Sequence, residues 1–200
     1  RVPRPDVTLV SGRVGWVGGT LHVEGGSFMR LLILAGSKHG ATLEVAETIG
    51  EHLAERGLEV EVAEVGDEHD PLAGFDGVIV GSAVYGGHWF KAAKRWVVTH
   101  REAIADRPTW LFSVGPLGDP PEPLDDPVDV ADLITAVGAR DHPLFAGALD
   151  REDLTLMERA AIRAVKAPFG DFRDWDEIEG WADTIADEMQ AGVGRMPVAG

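Results

Sequence analysis

A buried strand, a short polar turn and an amphipathic helix follow one another near the start of the chain. Leu31–Ala35 is an uninterrupted apolar run, typical of a strand that is covered on both faces. Apolar side chains then recur at helical spacing from Val45 to Ala54, and Gly57 supplies a stop signal. The intervening turn, Ser37–Thr42, therefore leads into a helix N-terminus, where free N–H groups and the helix dipole favour an anion. We predict that this turn binds a phosphate group.

The composition fits one globular domain and narrows the chemistry that the chain can perform. Its 200 residues are 44% hydrophobic and 26% charged, and the formal net charge is −16. This acidity argues against nucleic acid as a partner and against simple electrostatic attachment to an anionic membrane. The chain has no cysteine, which excludes disulfides, thiolate metal ligands and thiol nucleophiles. No apolar run approaches the roughly 18 residues of a membrane span. The lack of cysteine fits a reducing compartment, so we expect a cytoplasmic protein, either free or peripheral at the inner face of the membrane.

The beginning of the chain differs from the rest. Residues 1–28 are rich in glycine and show no helical period, so we expect a disordered or extraneous extension there. The alternative is a β-hairpin that pairs Val7–Val10 with Thr20–Val23. The domain itself is predicted over residues 29–190, followed by a flexible tail at 191–200.

Strands and helices alternate along the predicted domain. Strands are expected at residues 31–35, 58–63, 76–81, 109–114 and 143–147, and helices at about 45–56, 89–105, 129–137, 150–166 and 174–190. Such alternation implies right-handed crossovers, a parallel sheet and helices on both of its faces. Ligands of such sheets bind at the carboxyl ends of the strands. Three loops should therefore meet at one site: Ser37–Thr42, Ser82–Trp89 and Ser113–Asp119.

The residues of the first loop exclude several known phosphate-binding motifs. A Walker loop needs a Gly-Lys-Ser/Thr step, which is absent, and Gly36 and Gly40 do not have the spacing of a dinucleotide fingerprint. A phosphoacceptor domain would need an aspartate where Gly81 and Ser82 stand. What remains is a turn with hydroxyls at both ends and with Gly40 where the backbone can approach an anion closely. This pattern favours a terminal phosphate monoester, and no metal site is predicted.

Several motifs, in order along the chain, resemble those of a known family. The phosphate loop has the Ser/Thr-x-x-Gly-x-Thr form of flavodoxins, and further matching segments are 81–88, 112–114, 145–149 and 174–178. From about Arg30 to Glu188 the chain is similar to the flavodoxin-like, menaquinone-dependent protoporphyrinogen oxidase family. The resemblance implies a flavodoxin-like α/β fold, a doubly wound five-stranded parallel sheet in the order 2-1-3-4-5 with helices on both faces. It also implies bound FMN and an insertion at about residues 150–172.

Roles for the first loop follow from this resemblance. The residues that would bind the cofactor are Ser37, Lys38, His39, Gly40, Ala41 and Thr42. The hydroxyls at both ends would hydrogen-bond the FMN phosphate, and the N–H groups of the last four residues would complete the cradle. Lys38 and His39 would either add positive charge or point to solvent.

The other two loops would enclose the isoalloxazine ring of FMN. The residues implied are Ser82, Ala83, Val84, Tyr85, Gly86, Gly87 and Trp89 in the second loop, and Ser113, Val114 and Gly115 in the third. Tyr85 or Trp89 can stack on the ring, although Trp89 can equally begin the core face of the next helix. The two glycines would let a backbone group turn toward the flavin. His88 is the one candidate proton donor, with an ordinary loop histidine as the alternative.

The predicted function is oxidation–reduction through bound FMN, with a quinone as electron acceptor. Oxidation of a porphyrinogen is what the family resemblance implies. Two alternatives stay open: a flavodoxin-type electron carrier whose acidic face docks on a basic redox partner, and a cofactor-free binding module on the same fold. In the 150–166 helix, Arg159, Arg163 and Lys166 form a basic patch. This helix either contacts a membrane surface or a quinone, or packs on the sheet.

Overall fold

The residues described by the structure, a computed structural model, are 14–17, 20–23, 29–66, 72–115, 117, 125–150, 155 and 168–193. Near the start of the chain, β1 (Val14–Val17) and β2 (Thr20–Val23) form an antiparallel hairpin. The second strand is the one expected in the alternative reading of residues 1–28, but its partner is β1. The expected partner, Val7–Val10, and almost all of the predicted 150–166 helix lie outside the described residues.

Five parallel strands form the central sheet. In chain order they are β3 (Arg30–Gly36), β4 (Glu59–Glu64), β5 (Gly77–Tyr85), β7 (Thr109–Val114) and β8 (Leu144–Phe145). Their spatial order is β4-β3-β5-β7-β8, which is the predicted order 2-1-3-4-5 and confirms the fold class. β4 lies at an edge and none of its residues is fully buried, as its alternating sequence predicts.

Helices cover both faces of this sheet. α1 (Ala41–Glu55) and α4 (Trp175–Val193) pack on one face, and α2 (Lys91–Ala105) and α3 (Val130–Val137) pack on the other. Side chains alternate along a strand, so β3 contributes Leu31, Ile33 and Ala35 to the first core and Leu32 and Leu34 to the second. This double coverage explains why the sequence of β3 is apolar without interruption.

The third parallel strand is longer than the sequence predicts. β5 continues through Tyr85, so the first half of the expected loop Ser82–Trp89 is strand, which corrects that prediction. The pairing with β7 persists as far as Ala83, which lies opposite Val114. The ladder of hydrogen bonds to a neighbouring strand therefore extends β5 beyond the point where its apolar run ends.

A tight hairpin follows this strand. Gly86 and Gly87 have φ values of 59° and 79° and connect β5 to β6 (His88–Trp89), which pairs antiparallel with it. Positive φ at both central residues is the requirement of a type I′ hairpin turn, and it explains the glycine pair. The next helix therefore begins at Lys91 and not, as predicted, at Trp89.

A small two-stranded ladder lies beyond the fifth parallel strand. β9 (Ala148–Leu149) pairs antiparallel with β10 (Gly170–Asp171). The Phe172 N–H also donates to the Gly147 carbonyl at 3.1 Å. These bonds bring the chain after residue 168 back to the edge of the sheet where the predicted loops lie.

Candidate functional site

A cleft of about 690 Å³ lies at the carboxyl ends of the parallel strands. This volume falls within the range of about 300–1,000 Å³ that is typical of small-molecule sites. The predicted site residues that line it are Ser37, His39, Ala41, Thr42, Ala83, Val84, Tyr85, Gly86, Val114 and Gly115. The three predicted loops thus meet at this edge of the sheet.

The first loop ends at a helix N-terminus whose amides point out of the helix. Gly40 is the N-cap residue of α1 and has a φ of 82°, in the left-handed region that favours glycine. The first hydrogen bond of the helix joins the Glu44 N–H to the Gly40 carbonyl at 3.0 Å, so the first three helical amides have no acceptor within the helix. The Gly40 amide differs from them, because it donates to Ser37 Oγ at 3.1 Å.

Thr42 carries the most informative polar group of the cleft. This residue is 0% exposed, yet its Oγ1 has no hydrogen-bond partner in the part of the chain that the structure describes. Leaving a buried hydroxyl without a partner costs about 1–3 kcal/mol. Because Thr42 lines the cleft beside the first helical amides, a ligand oxygen at this position would complete the hydrogen bond.

Tyr85 stands at the rim of the cleft beside the first loop. Its hydroxyl accepts the Lys38 N–H at 3.1 Å, and the Lys38 Nζ lies 5.3 Å from its ring centroid. Phe90 packs edge-on against it, with 6.1 Å between the ring centroids. The ring is thus supported by neighbours while 38% of the residue is exposed, which suits stacking with a planar ligand. Lys38 lies beside this ring and not among the cleft-lining residues.

Three predicted site residues lie on the opposite face of the sheet from the cleft. Ser82, Trp89 and Ser113 are buried on the side of α2. The Trp89 Nε1–H donates to Ser113 Oγ at 2.7 Å, and Ser82 Oγ accepts the Phe90 N–H at 2.8 Å. Successive strand residues point to opposite faces, so these two serines turn away while their neighbours on each strand face the cleft. Trp89 is a core residue, although it precedes the helix.

Ser113 belongs to a buried polar chain with a histidine. Ser113 Oγ and His142 Nε2 are 2.8 Å apart, and His142 Nδ1 lies 3.6 Å from Asp126 Oδ1. Burial lowers the pKa of His142, although Asp126 and Asp141 act in the opposite direction. The residue types are those of a nucleophilic triad, but Ser113 is 0% exposed and its oxygen already accepts the Trp89 indole N–H. This set of hydrogen-bonded side chains is therefore structural and not a catalytic triad.

His88, the candidate proton donor, lies outside the cleft lining. Its side chain is 61% exposed, and its Nδ1 is 3.8 Å from Asp129 Oδ2, which also accepts from Lys94 Nζ at 3.0 Å. Burial by itself would raise the pKa of Asp129, but hydrogen bonds from Lys94 and from backbone amides outweigh it and lower the pKa. The Gly87 carbonyl is held by the same segment, since it accepts the Val128 N–H at 3.0 Å. The residues just before α3 thus hold the glycine hairpin in place through hydrogen bonds.

Two walls of the cleft were missed by the sequence predictions. Leu117 also lines the cleft and belongs to the predicted third loop. The lining residues outside the predicted loops are Glu44, Gly147, Ala148, Leu149, Asp150, Phe169, Gly170, Asp171 and Arg173. Residues 147–150 could have been predicted from the sequence, because they follow the fifth parallel strand and the carboxyl ends of parallel strands lie at one edge of the sheet. Residues 169–173 carry no sequence feature that predicts a place in the site, because the pairing of β9 with β10 brings them to the cleft.

The described residues form neither a metal cluster nor a membrane-spanning helix. They contain no group of three or more His, Cys, Asp or Glu side chains placed to hold a metal ion. Of the helices that the structure describes, none is both long and apolar enough to cross a membrane.

A family model covers most of the predicted domain. The model, described as a flavodoxin domain, matches residues 32–176. Among curated proteins, the protoporphyrinogen IX dehydrogenase (quinone) of Escherichia coli strain K12 is 24% identical over 172 residues. This alignment covers 79% of the present chain and 95% of the relative.

Solved structures with the same architecture include flavodoxins. Oxidised flavodoxin 2 from Bacillus cereus has a TM-score of 0.57 at 20% identity, with 80% of this chain and 99% of that chain covered. A flavodoxin from the domain Archaea has a TM-score of 0.55 at 15% identity, with 81% and 99% covered. The rubredoxin oxygen:oxidoreductase of Desulfovibrio gigas has a TM-score of 0.58 at 14% identity; the match covers 82% of this chain but only 37% of that protein. At these identities the likeness establishes the fold.

Proposed function

The chain belongs to the flavodoxin-domain family, and from this premise we propose that it is an FMN-dependent oxidoreductase. We further propose that a quinone accepts the electrons and that a porphyrinogen is the oxidisable substrate. The cleft and the family support the cofactor. The name of the Escherichia coli relative supports the quinone and the porphyrinogen.

The observation that carries the cofactor assignment is the buried Thr42 hydroxyl, which lacks a partner among the described residues. A phosphate monoester at the N-terminus of α1 would accept this hydroxyl and the first helical amides, in the favourable field of the helix dipole. Ser37 can add a second hydroxyl, because its oxygen accepts the Gly40 amide and its own proton is left for a phosphate oxygen. The residues present therefore fit the phosphate end of FMN.

The remainder of the cleft fits a flat ring. Tyr85 offers an aromatic face, and Val114 and Leu149 offer apolar surface. A Cβ at Gly115 would lie 2.8 Å from the Cβ of Val84, so only glycine lets these two walls approach so closely. FMN, when bound, supplies the hydride and electron chemistry. The role of the chain is to bind and orient the cofactor and to exclude water from the buried side of the cleft.

Titration of the purified chain with FMN tests the cofactor assignment. We expect quenching of flavin fluorescence that saturates at equimolar FMN, together with a flavin absorption spectrum that stays with the protein on gel filtration. Riboflavin should bind more weakly, because it lacks the phosphate that Thr42 and the helix amides would hold. If FMN does not bind, the proposal is wrong and a cofactor-free binding module is favoured.

Anaerobic mixing of the FMN-loaded protein with protoporphyrinogen and a menaquinone analogue tests the substrate assignment. Turnover above that of free FMN is expected. The net charge of −16 favours one alternative, an electron carrier that docks on a basic redox partner. Absence of turnover, combined with electron exchange with a basic partner protein that weakens as salt is added, would establish the carrier instead.

A further inference from the structure

An arginine that the proposed phosphate contacts do not use lies at the edge of the cleft. Arg173 lies two residues before α4, and its side chain is only 7% exposed. Its Nε and Nη2 donate to the two carboxylate oxygens of Asp171 at 2.8 and 2.6 Å. Its Nη1 donates to Glu44 Oε2 at 2.7 Å, and its guanidinium lies 4.5 Å from the centroid of the Trp175 ring. Arg173 thus links β10 to the first turn of α1.

These contacts set the net charge of the side chains beside the phosphate loop. Glu44 lies two residues after Thr42 in the first turn of α1, and both residues line the cleft together with Asp171. The side chains of Glu44 and Asp171 are 58% and 50% exposed, so two carboxylates border the place where an anion would bind. Negative charges that line the same cleft oppose binding of a phosphate dianion. Arg173 places one fixed positive charge between the two carboxylates.

The ion pairs persist at neutral pH. The hydrogen bond to Asp171 raises the pKa of Arg173, and the same bond lowers the pKa of Asp171. Bidentate pairing also fixes the guanidinium plane, which the Trp175 ring supports from one side. The positive charge is therefore held in one position and is not shared among many conformations.

We propose that Arg173 determines the preference of this cleft for a phosphorylated flavin over riboflavin, by offsetting part of the negative charge of Glu44 and Asp171 beside the phosphate loop. The inference rests on the proposed function, because it concerns the phosphate end of the FMN site. Removal of the arginine charge leaves two carboxylates facing the anion. Riboflavin carries no charge and is insensitive to this change.

Paired titrations with FMN and with riboflavin test the inference. In Arg173→Gln, which removes the charge, FMN affinity should fall about tenfold, while riboflavin affinity should change less than about threefold. At high ionic strength, the affinity losses that Arg173→Gln causes for FMN and for riboflavin should become more similar, because salt screens the charges. Arg140→Gln is the matched control, because Arg140 also pairs with a carboxylate (Glu188, 3.1 Å) and lies over a Trp ring (Trp110, 5.1 Å) but is outside the cleft lining. It should leave both affinities unchanged.

Glu44→Gln keeps the test decisive even if Arg173→Gln does not fold. It removes one negative charge and leaves Arg173 bonded to Asp171, so FMN affinity should rise while riboflavin affinity stays the same. Equal changes for both flavins in Arg173→Gln, or an unchanged FMN-to-riboflavin affinity ratio in Glu44→Gln, would overturn the inference and leave the proposed function standing. An unmodified chain that binds neither flavin would overturn the proposed function and the inference with it.

Discussion

At the scale of single residues, the cleft is distinguished by a polar atom that the fold itself does not satisfy. Among the described residues, three buried side-chain polar atoms lack a partner: Thr42 Oγ1, Trp96 Nε1 and Trp110 Nε1. The two indoles belong to large side chains whose packing is the main gain of burial. Thr42 is small, and its hydroxyl lies at the cleft beside the first helical amides. Of these three atoms, the Thr42 hydroxyl is therefore the one whose missing partner a bound ligand would supply.

Replacing the Thr42 hydroxyl by a methyl group should separate cofactor binding from folding. Thr42→Val keeps the shape of the side chain, so we expect FMN binding to weaken by about 1.5–3 kcal/mol, the worth of a hydrogen bond to a charged group. The melting temperature without FMN should stay the same or rise, because no buried hydroxyl is left without a partner. Thr48→Val is the control, since Thr48 Oγ1 donates to the Glu44 carbonyl at 3.1 Å within the same helix. Unchanged FMN affinity in Thr42→Val, measured by fluorescence titration, would show that the phosphate binds elsewhere.

The N-cap glycine of α1 offers a second test at this scale. A Cβ at Gly40 would meet no atom within 4 Å, so Gly40→Ala suffers only from the left-handed backbone, by about 1–2 kcal/mol of unfolding free energy. Gly57→Ala is closely matched, with φ of 86° and no atom within 4 Å. Chemical denaturation should show similar losses for both, whereas FMN titration should show weaker binding for Gly40→Ala alone. Equal FMN affinities in the two variants would separate Gly40 from the cofactor site.

At the scale of elements, the wall of the cleft that carries Tyr85 is a hairpin supported from the opposite face of the sheet. The Trp89 indole is anchored by Ser113 and its backbone N–H by Asp129, at 2.7 and 3.3 Å. Both supports come from parts of the chain distant in sequence. The hairpin is therefore held from the face of the sheet that α2 and α3 cover. Its residues Tyr85 and Gly86 nevertheless line the cleft.

The buried histidine of this support makes stability depend on pH. Burial lowers the pKa of His142 below its ordinary 6.5, so the folded protein holds the neutral form while the unfolded chain takes up a proton. The stabilisation is thus complete above about pH 6.5 and is lost progressively as the pH falls below it. His142→Gln should abolish this part of the dependence in urea unfolding measured from about pH 5 to pH 8. A wild-type-minus-variant difference that stays flat with pH would contradict the assignment.

At the scale of the whole molecule, the two faces of the sheet have separate cores, and α4 closes the one beneath the cleft. Phe112, Phe145 and Trp181 pack with ring centroids 5.7–6.1 Å apart and join α4 to β7 and β8. Among the residues whose burial is described, those of both cores lie between Met29 and Met189. The segment with Arg173 leads directly into α4, so the packing of this helix also sets one wall of the cleft.

Deletion of residues 1–28 should leave this architecture intact. Because these residues show none of the apolar periodicity of the later strands and helices, and the family model begins at residue 32, the melting temperature and FMN affinity should match those of the full chain. Trp181→Ala is the contrasting variant, expected to lose about 3–5 kcal/mol of unfolding free energy through the cavity it creates. A large loss of stability or of flavin binding on deletion would mean that the early residues belong to the fold.

The order of strands and helices and the location of the first loop were predictable, because they depend on local patterns. The apolar run of β3, the helical spacing after Val45 and the glycines at turns act over a few residues. The end of β5 was not predictable in this way. Pairing with β7 continues the strand to Ala83 and pairing with β6 continues it to Tyr85, past the last residue that its own sequence marks as strand.

By itself the sequence determined the fold class, the strand order expected of its family and the loop at the start of α1, since periodicity and turn residues are properties of neighbouring positions. The tertiary structure alone decided which side chains reach the cleft. Register placed Ser82 and Ser113 on the far face, and the pairing of β9 with β10 brought Arg173 to Glu44, 129 positions away. Strand register and long-range pairing depend on contacts between distant segments, which no local pattern encodes.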